Sequence, residues 1–292
     1  MSRTLTILIT GATSGIGRHA AIHLARRGHR VIASGRSIAA LEALAKEVSS
    51  PHFEVLPLDV TDTASIASAR DRVMSLTAGE GLDVLVNNAG YATAGALAEL
   101  NDEELRAQFD TNVFGLMAVT RAFLPEMFTR GAGRVVNVSS VSGRIPAPML
   151  GAYHASKYAL EALSDALRME LQPFGIRVVV VEPGTIRTNF AERTVQEGLR
   201  ARTGDTKYAS IYARSETLRE KFAARAAGPE AVSRAIEKAI VSRSPSARYV
   251  APAYFGLAIL LVRLLPTCWM DGLMRHIAGL TRRELGLGEV GT

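Results

Sequence analysis

Cysteine, long apolar runs and clustered charge are all scarce in this chain. Cys268 is the single cysteine among 292 residues, which excludes an internal disulfide framework and a cysteine-based zinc site and fits a reducing compartment. Cys268 itself reads as a small buried hydrophobe. The longest apolar stretch covers residues 250–262 and ends at Arg263; Leu264 and Leu265 prolong it only as far as Pro266. A bilayer span needs about 20 apolar residues, so this stretch reads as either a buried or an interfacial helix. The apolar segment at 5–10 is too short for a signal-peptide core and no small-residue cleavage site follows, so a cytoplasmic protein is expected. Internal repeats and low-complexity segments are also missing, and no metal site is expected.

Charge of one sign is in slight excess, 34 Lys+Arg against 28 Asp+Glu, a net +6. Residues 1–190 carry 18 of each sign, so the excess lies in 191–292, with 16 basic against 10 acidic residues. The densest basic cluster is only Arg200-Ala201-Arg202. Nucleic-acid binders concentrate charge beside a recognisable motif. Neither is present, so no nucleic-acid partner is expected and the excess reads as a solvated basic surface.

What is there is a globular composition, 48% hydrophobic and 21% charged, enough to build a core. Short β-branched runs at 5–10, 30–34, 53–57, 84–87, 134–139 and 177–182 alternate with helical patterns near 16–27, 38–48, 63–77, 102–128 and 154–172. Val178-Val179-Val180-Val181 is apolar throughout, as in a strand covered on both faces. The alternation predicts an α/β fold, a doubly wound parallel sheet in a single domain over 1–292. Residues 1–190 would form the core, and the polar, basic stretch 191–227 a helical lid over the carboxyl edge. Residues 228–292 would add a helix from Pro229 to about Ser242, a last strand at 248–250 and an apolar C-terminal helical extension.

The first strand runs into Thr10-Gly11-Ala12-Thr13-Ser14-Gly15-Ile16-Gly17 and then a helix. Glycines permit a tight turn and close backbone approach, and the helix N-terminus offers free N–H groups to a pyrophosphate. The spacing differs from the common G-x-G-x-x-G fingerprint. After strand two the chain reads Ala33-Ser34-Gly35-Arg36-Ser37. No carboxylate stands there to hold a ribose 2′-OH, whereas Arg36 can fork onto a 2′-phosphate, so NADP(H) is the expected cofactor. Asp59, after strand three, suits an adenine amino group; helix capping is its alternative, although Asp62 is better placed for that.

Tyr153-His154-Ala155-Ser156-Lys157 sets Tyr153 and Lys157 on one helical face, four residues apart. Ser140 precedes Tyr153 by thirteen residues at the end of a strand, Asn112 lies in a helix before that strand, and Asn87-Asn88-Ala89-Gly90 ends strand four. All are placed where polar groups converge over the sheet's carboxyl edge.

On these motifs, with Asp59 and the segment Pro183-Gly184-Thr185-Ile186-Arg187-Thr188, the chain resembles the classical short-chain dehydrogenase/reductase family over about residues 5–190. The resemblance implies a Rossmann sheet of seven strands. Its cofactor contacts would be Gly11, Thr13, Ser14, Gly15, Ile16, Gly17, Arg36, Asp59, Val60, Asn88, Ala89, Gly90, Tyr153, Lys157, Pro183, Gly184, Ile186 and Thr188, the last four cradling the nicotinamide amide. Its catalytic set would be Asn112, Ser140, Tyr153 and Lys157. Members that prefer NADP often carry a basic residue just before the second glycine of the turn, where this chain has Ser14; Arg36 therefore carries the selectivity, with Arg18 as its candidate helper, and dual use of NAD stays open.

Hydride transfer needs a proton to cross to or from the substrate oxygen. Tyrosine's ordinary pKa of about 10 is too high for a base near neutrality, and a neighbouring Lys157 ammonium is expected to lower it. Tyr153 would then act as general acid or base, with Ser140 holding the substrate oxygen. Lys157 would also bind the nicotinamide ribose, and Asn112 a water leading to solvent. Bridging of backbone groups is the alternative for Asn112. His154 reads as a packed helix residue.

The long lid and the apolar tail look like steroid- and retinol-type members, implying a small hydrophobic carbonyl or alcohol substrate. The tail's Phe255, Leu257, Ile259, Leu260, Leu261, Trp269, Met270, Leu273 and Met274 are open to three readings: pocket wall, core packing, or peripheral membrane contact through 250–283. The family commonly associates through the helices at 102–128 and 154–172, so a homodimer or homotetramer is expected. A non-catalytic NADP-binding regulator of the same fold is the alternative to an enzyme.

Overall fold

The computed structural model describes residues 3–190, 194, 206–282, 284 and 285. Part of the expected lid, 191–193 and 195–205 with Arg200 and Arg202, and the residues beyond 285 lie outside them. Seven strands form one parallel sheet: β1 (Thr6–Ile9), β2 (Arg30–Gly35), β3 (Phe53–Pro57), β4 (Val84–Asn87), β5 (Gly133–Val138), β6 (Ile176–Pro183) and β7 (Arg248–Ala251). Their order is β3-β2-β1-β4-β5-β6-β7, so the direction of winding reverses between β1 and β4. Strand directions and order match the doubly wound Rossmann expectation, and a crevice opens at the carboxyl ends of β1 and β4.

The helices are α1 (Gly15–Arg26), α2 (Ile38–Val48), α3 (Thr63–Leu76), α4 (Asp102–Phe109), α5 (Leu116–Arg130), α6 (Gly151–Leu171), α7 (Ala209–Ala224), α8 (Glu230–Val241), α9 (Phe255–Leu264) and α10 (Thr267–Ala278). Successive strand residues point to opposite faces, and β1 divides accordingly. Ile7 and Ile9 join Leu24 of α1 and Ile236 of α8 on one face. Leu8 joins Val73 of α3 and Phe123 and Met127 of α5 on the other. Each such side chain, removed from water, contributes about 1.5–3 kcal/mol. Two apolar cores thus clamp the sheet, which explains why its strands are apolar on both faces.

A polar thread crosses this apolar centre. Asn87 Nδ2 donates to Thr120 Oγ1 at 2.9 Å and to Asn137 Oδ1 at 3.0 Å, and Asn137 Nδ2 donates to Ser164 Oγ at 2.9 Å. Burial of amides is tolerable only with such partners. The thread ties β4 and β5 to α5 and α6 at the depth where the site begins.

Three expectations are corrected. The helix expected over 102–128 is broken: a π-helical turn, Asp110–Gly115, separates α4 from α5. There a Cβ on Gly115 would lie 2.6 Å from the Val60 carbonyl oxygen, so the close pass of α5 over the β3 loop needs glycine. The apolar stretch at 250–262 is also divided, its first residues closing β7 and the rest forming α9. Cys268 is exposed, not buried, because α10 keeps no described residue in the core. Much of the tail's apolar surface faces outward: Leu257 is 62% exposed, Leu264 73% and Trp269 67%, while among the described residues of α9 Ile259 alone is buried. Among the described residues no helix is long and apolar enough to cross a membrane.

Phe123 fills the space between α5 and the sheet and is 2% exposed. Phe123→Ala should lower unfolding free energy by about 3–5 kcal/mol, read from the urea midpoint.

Candidate active site

The turn after β1 is built by close backbone approach. Gly11 has φ +66°, and a Cβ there would lie 2.8 Å from Ala89 Cα; at Gly17 it would lie 2.4 Å from the Gly11 carbonyl oxygen. The turn is tied down from β4: Asn88 Nδ2 donates to the carbonyls of Thr10 and Gly11 at 3.0 and 3.1 Å, and the N–H groups of Asn88 and Ala89 both donate to Thr10 Oγ1 at 3.0 Å. Ser14 is the N-cap of α1 yet its side chain makes no capping bond, and the first turn holds no acidic residue. The N-terminal N–H groups of α1 thus face the crevice with their positive dipole end uncompensated, which fits a dinucleotide pyrophosphate. Thr13 is held in place by Gly35, whose Cβ would meet Thr13 Cγ2 at 2.7 Å. Thr188 lies over the turn, 3.5 Å from the position a Cβ on Gly15 would occupy.

Arg36 follows β2 and is exposed. Arg18, the expected helper, is instead paired with Glu47, an exposed ion pair on the outer side of α1 and α2. Asp59 Oδ1 accepts from the Thr61 N–H at 2.9 Å and its hydroxyl at 2.7 Å. The Thr61 N–H chiefly holds the Asp59 carboxyl below its ordinary range, and the nearby Arg36 charge adds to this. Capping of α3 falls to Asp62, which accepts from Ala64 N at 3.0 Å.

Ser140, Tyr153 and Lys157 come together at the carboxyl end of β5. Ser140 caps a short 3-10 turn, its Oγ accepting from Ser142 N at 3.1 Å and donating to the Pro183 carbonyl at 3.3 Å. That second bond ties the serine to the segment carrying Gly184, Ile186 and Thr188. Lys157 Nζ donates to the Val138 carbonyl at 3.0 Å and lies 5.9 Å from the Tyr153 ring centroid. Asn112 sits in the π-helical turn, 1% exposed. Its Nδ2 donates to the Tyr91 carbonyl and to Ser156 Oγ, both at 3.0 Å, and its Oδ1 accepts from Tyr91 N at 3.2 Å. The side chain therefore clamps the strand-four loop to α6, the backbone-bridging alternative. Gly90 passes so close that a Cβ would lie 3.0 Å from Asn112 Oδ1.

The electrostatics differ from expectation. Burial pushes the Tyr153 phenol up to about 12, against the hydrogen bond with Ser140. Burial likewise drives the Lys157 ammonium down to about 8, with the Glu161 carboxylate one turn away opposing it. In this geometry desolvation outweighs the mutual effect of the pair. Beneath them, Glu161 and Glu182 are buried but matched: Arg248 Nε meets Glu161 Oε2 at 3.0 Å, and Arg144 Nη1 meets Glu182 Oε1 at 2.7 Å. Burial raises the pKa of Glu161. His154 is packed as expected, its Nδ1 bonded to the Ser142 carbonyl at 2.9 Å and its pKa lowered by burial.

Thr10 and Phe190 were not foreseen as neighbours of the site, and Phe255 was named only as one of the tail's candidate wall residues. Thr10 holds the turn; its place at a strand end before glycine was a usable signal. The Phe190 ring lies 5.7 Å from that of Tyr153, centroid to centroid. Phe255 of α9 lies against Gly184, where a Cβ would meet its ring at 2.1 Å. No local pattern distinguishes these two phenylalanines from core residues. Among the described residues no cluster could hold a metal ion.

A short chain dehydrogenase profile matches residues 5–198. The chain belongs to the short-chain dehydrogenase/reductase family. It is 37% identical over 270 residues to the uncharacterized oxidoreductase YbbO of Escherichia coli K12, covering 92% of this chain and 94% of the relative. It is also 37% identical over 276 residues to human 17-beta-hydroxysteroid dehydrogenase type 1, covering 90% and 82% respectively. Among solved structures, the actinorhodin polyketide ketoreductase with NADPH superposes with a TM-score of 0.71 at 30% identity, covering 86% of this chain and 97% of that one. This short-chain dehydrogenase is thus an oxidoreductase acting on CH–OH groups, with its nucleotide site in a Rossmann sheet.

The buried lysine has a stability consequence. Its folded pKa of about 8 lies below the ordinary 10.5, so the unfolded chain binds the extra proton between those values. The cost of burying the charge is therefore present at neutral pH and is relieved as pH rises. Between pH 8 and 10.5 wild type should gain stability relative to Lys157→Met, measured by urea unfolding at each pH.

Proposed function

We propose that the protein is an NADP(H)-dependent oxidoreductase that interconverts a ketone or aldehyde with an alcohol on an apolar steroid-, retinoid- or lipid-like substrate. The observation that carries this is the convergence of Ser140, Tyr153 and Lys157 beside the glycine turn, with the Phe190 ring against the tyrosine. The glycine turn Gly11–Gly17 with Thr13, Ser14 and Ile16 would hold the pyrophosphate, and Asp59 and Val60 the adenine. Asn88, Ala89 and Gly90 would line the ribose side, and Pro183, Gly184, Ile186 and Thr188 the nicotinamide. Bound there, the cofactor supplies or accepts the hydride.

Ser140 would donate a hydrogen bond to the substrate oxygen and fix its position. Tyr153, with its pKa raised to about 12, keeps its proton across the physiological range and is set to give it to a carbonyl oxygen as that oxygen becomes an alcohol. Lys157, as the cation, would stabilise the phenolate left behind. Asn112, by holding the strand-four loop, would keep open the water path that reprotonates Tyr153. NADP over NAD is supported by Arg36, exposed after β2 with no carboxylate at that strand end. The likeness to a ketoreductase solved with NADPH points the same way. An apolar substrate is supported by Phe190 and by the likeness to a hydroxysteroid dehydrogenase.

The test is NADPH oxidation with a panel of apolar ketones. Tyr153→Phe should lose at least about a hundredfold in kcat, and Arg36→Asp should raise KM for NADPH but not for NADH. For the wild type, kcat/KM for reduction should fall above pH 8, where Lys157 loses its charge. Activity of Tyr153→Phe equal to wild type would sink the reading.

We further propose that residues 250–283 make peripheral contact with a lipid surface. Support comes from α9 and α10, where Leu257, Leu260, Leu264, Trp269 and Leu273 are all exposed within a few turns, with Arg275 beside them. Co-sedimentation with phosphatidylcholine vesicles containing phosphatidylglycerol should retain wild type and release Trp269→Asp. Equal retention of both would exclude this face.

A further inference from the structure

The amino edge of the sheet, opposite the edge that carries Tyr153, holds a second feature. A cavity of about 450 Å3 opens there between the segment leading into β1, the starts of β4, β5 and β6, and the end of α8. Its floor is small: Ala132, Gly133 and Gly175. Gly175 has φ +73°, and a Cβ there would lie 2.0 Å from the Gly131 carbonyl oxygen, so the two turns meet backbone to backbone and leave the space above them open.

Four arginines line the cavity, Arg3, Arg130, Arg134 and Arg177, against one acidic residue, Asp83. Asp83 is already engaged on both oxygens, with Arg3 Nη2 at 2.9 Å and with Thr6 N at 2.8 Å. Arg130 donates to the carbonyls of Glu80 and Leu82, and the nearby Glu126 is paired with Arg70. Arg134 donates to the Ala239 carbonyl at 2.7 Å, to that of Ile240, and to the Ser242 carbonyl at 2.9 Å, finishing the last turn of α8. Carbonyls take some of the N–H groups of Arg130 and Arg134 and leave the charge of both uncompensated.

Arg134 and Arg177 are register partners on the adjacent strands β5 and β6. Like charges directly opposite one another destabilise a sheet. Burial, and then the charge of Arg177, lower the pKa of Arg134. Arg134 has a structural task at α8. Arg177 has none: it is exposed, and among the described residues no carboxylate pairs with it. The sheet carries a repulsive pair at the mouth of a cavity already rich in positive charge, which a bound dianion would turn into an attraction.

We propose that this cavity binds a small phosphate monoester, with Arg177 and Arg134 facing the phosphate. Guanidinium forks match phosphate oxygens in pairs, and with Arg3 paired to Asp83 the other three positive groups call for a dianion. The volume lies in the range of small-molecule sites. The site is separate from the Gly11–Gly17 turn, which lies at the other end of β1.

The probe is glycerol 3-phosphate, titrated calorimetrically into the full chain at low ionic strength. Saturable binding should weaken as salt is added. It should fall about tenfold or more in Arg177→Glu and clearly in Arg177→Gln, which keeps most of the side-chain stem. Both variants alter an exposed side chain, and unchanged circular dichroism with a Tm no lower than wild type confirms their folds. Arg36→Glu should leave the binding intact, because Arg36 stands at the opposite edge. Glycerol should not bind, and inorganic phosphate should bind more weakly than the ester. No binding, binding that survives Arg177→Glu, loss in Arg36→Glu, or equal binding of inorganic phosphate would each overturn the proposal.

Discussion

The approach of the Gly11–Gly17 turn to the end of β4 is the contact on which the rest of the structure depends. It joins the two strands between which the winding reverses, and it leaves no room for a side chain at Gly11 or Gly17. Thr10 and Asn88 lock it with hydrogen bonds in both directions across the gap. Because the turn is held so closely, α1 begins at the crevice with its first N–H groups unspent. The same rigid edge places the β5 loop and α6, and so Ser140, Tyr153 and Lys157, one strand away.

Burial then sets the chemistry. Tyr153 and Lys157 are both withdrawn from water, and desolvation favours the neutral form of each. A neutral tyrosine is a proton donor, and below pH 8 Lys157 keeps the charge that would stabilise the phenolate it leaves. The charged groups beneath them are paired instead: Arg144 and Arg248 meet Glu182, Glu161 and Asp165. Since unpaired buried charge costs several kcal/mol, this matching keeps a charge-dense layer compatible with a folded core.

Much of the site was legible along the chain because it is local. The spacing of Tyr153 from Lys157 is one helical turn, Ser140 follows a β-branched run, and the glycines of the first turn sit between a strand and a helix. The absence of a carboxylate after β2 is equally local. What was not legible involves residues far apart. Asn112 spends its side chain on Tyr91 and Ser156, which no spacing announces. Arg18 falls to Glu47 because α1 and α2 lie side by side. Phe190 reaches Tyr153 from beyond β6.

The sequence by itself determined the periodicities: a seven-stranded α/β sheet, its glycine turn and the helical face shared by Tyr153 and Lys157. Periodicity is a property of neighbouring residues, and neighbours carry it whatever the rest of the chain does. Tertiary structure alone decided which groups lose water and which charges meet. The same count of apolar residues in the tail is compatible with a core helix or an exposed one, and only packing left Leu257, Leu264 and Trp269 outside. Likewise, the first 190 residues balance in charge, yet folding gathers Arg3, Arg130, Arg134 and Arg177 at one cavity. Net charge is a sum over the chain, whereas an electrostatic site depends on distance, and distance is set only by the fold.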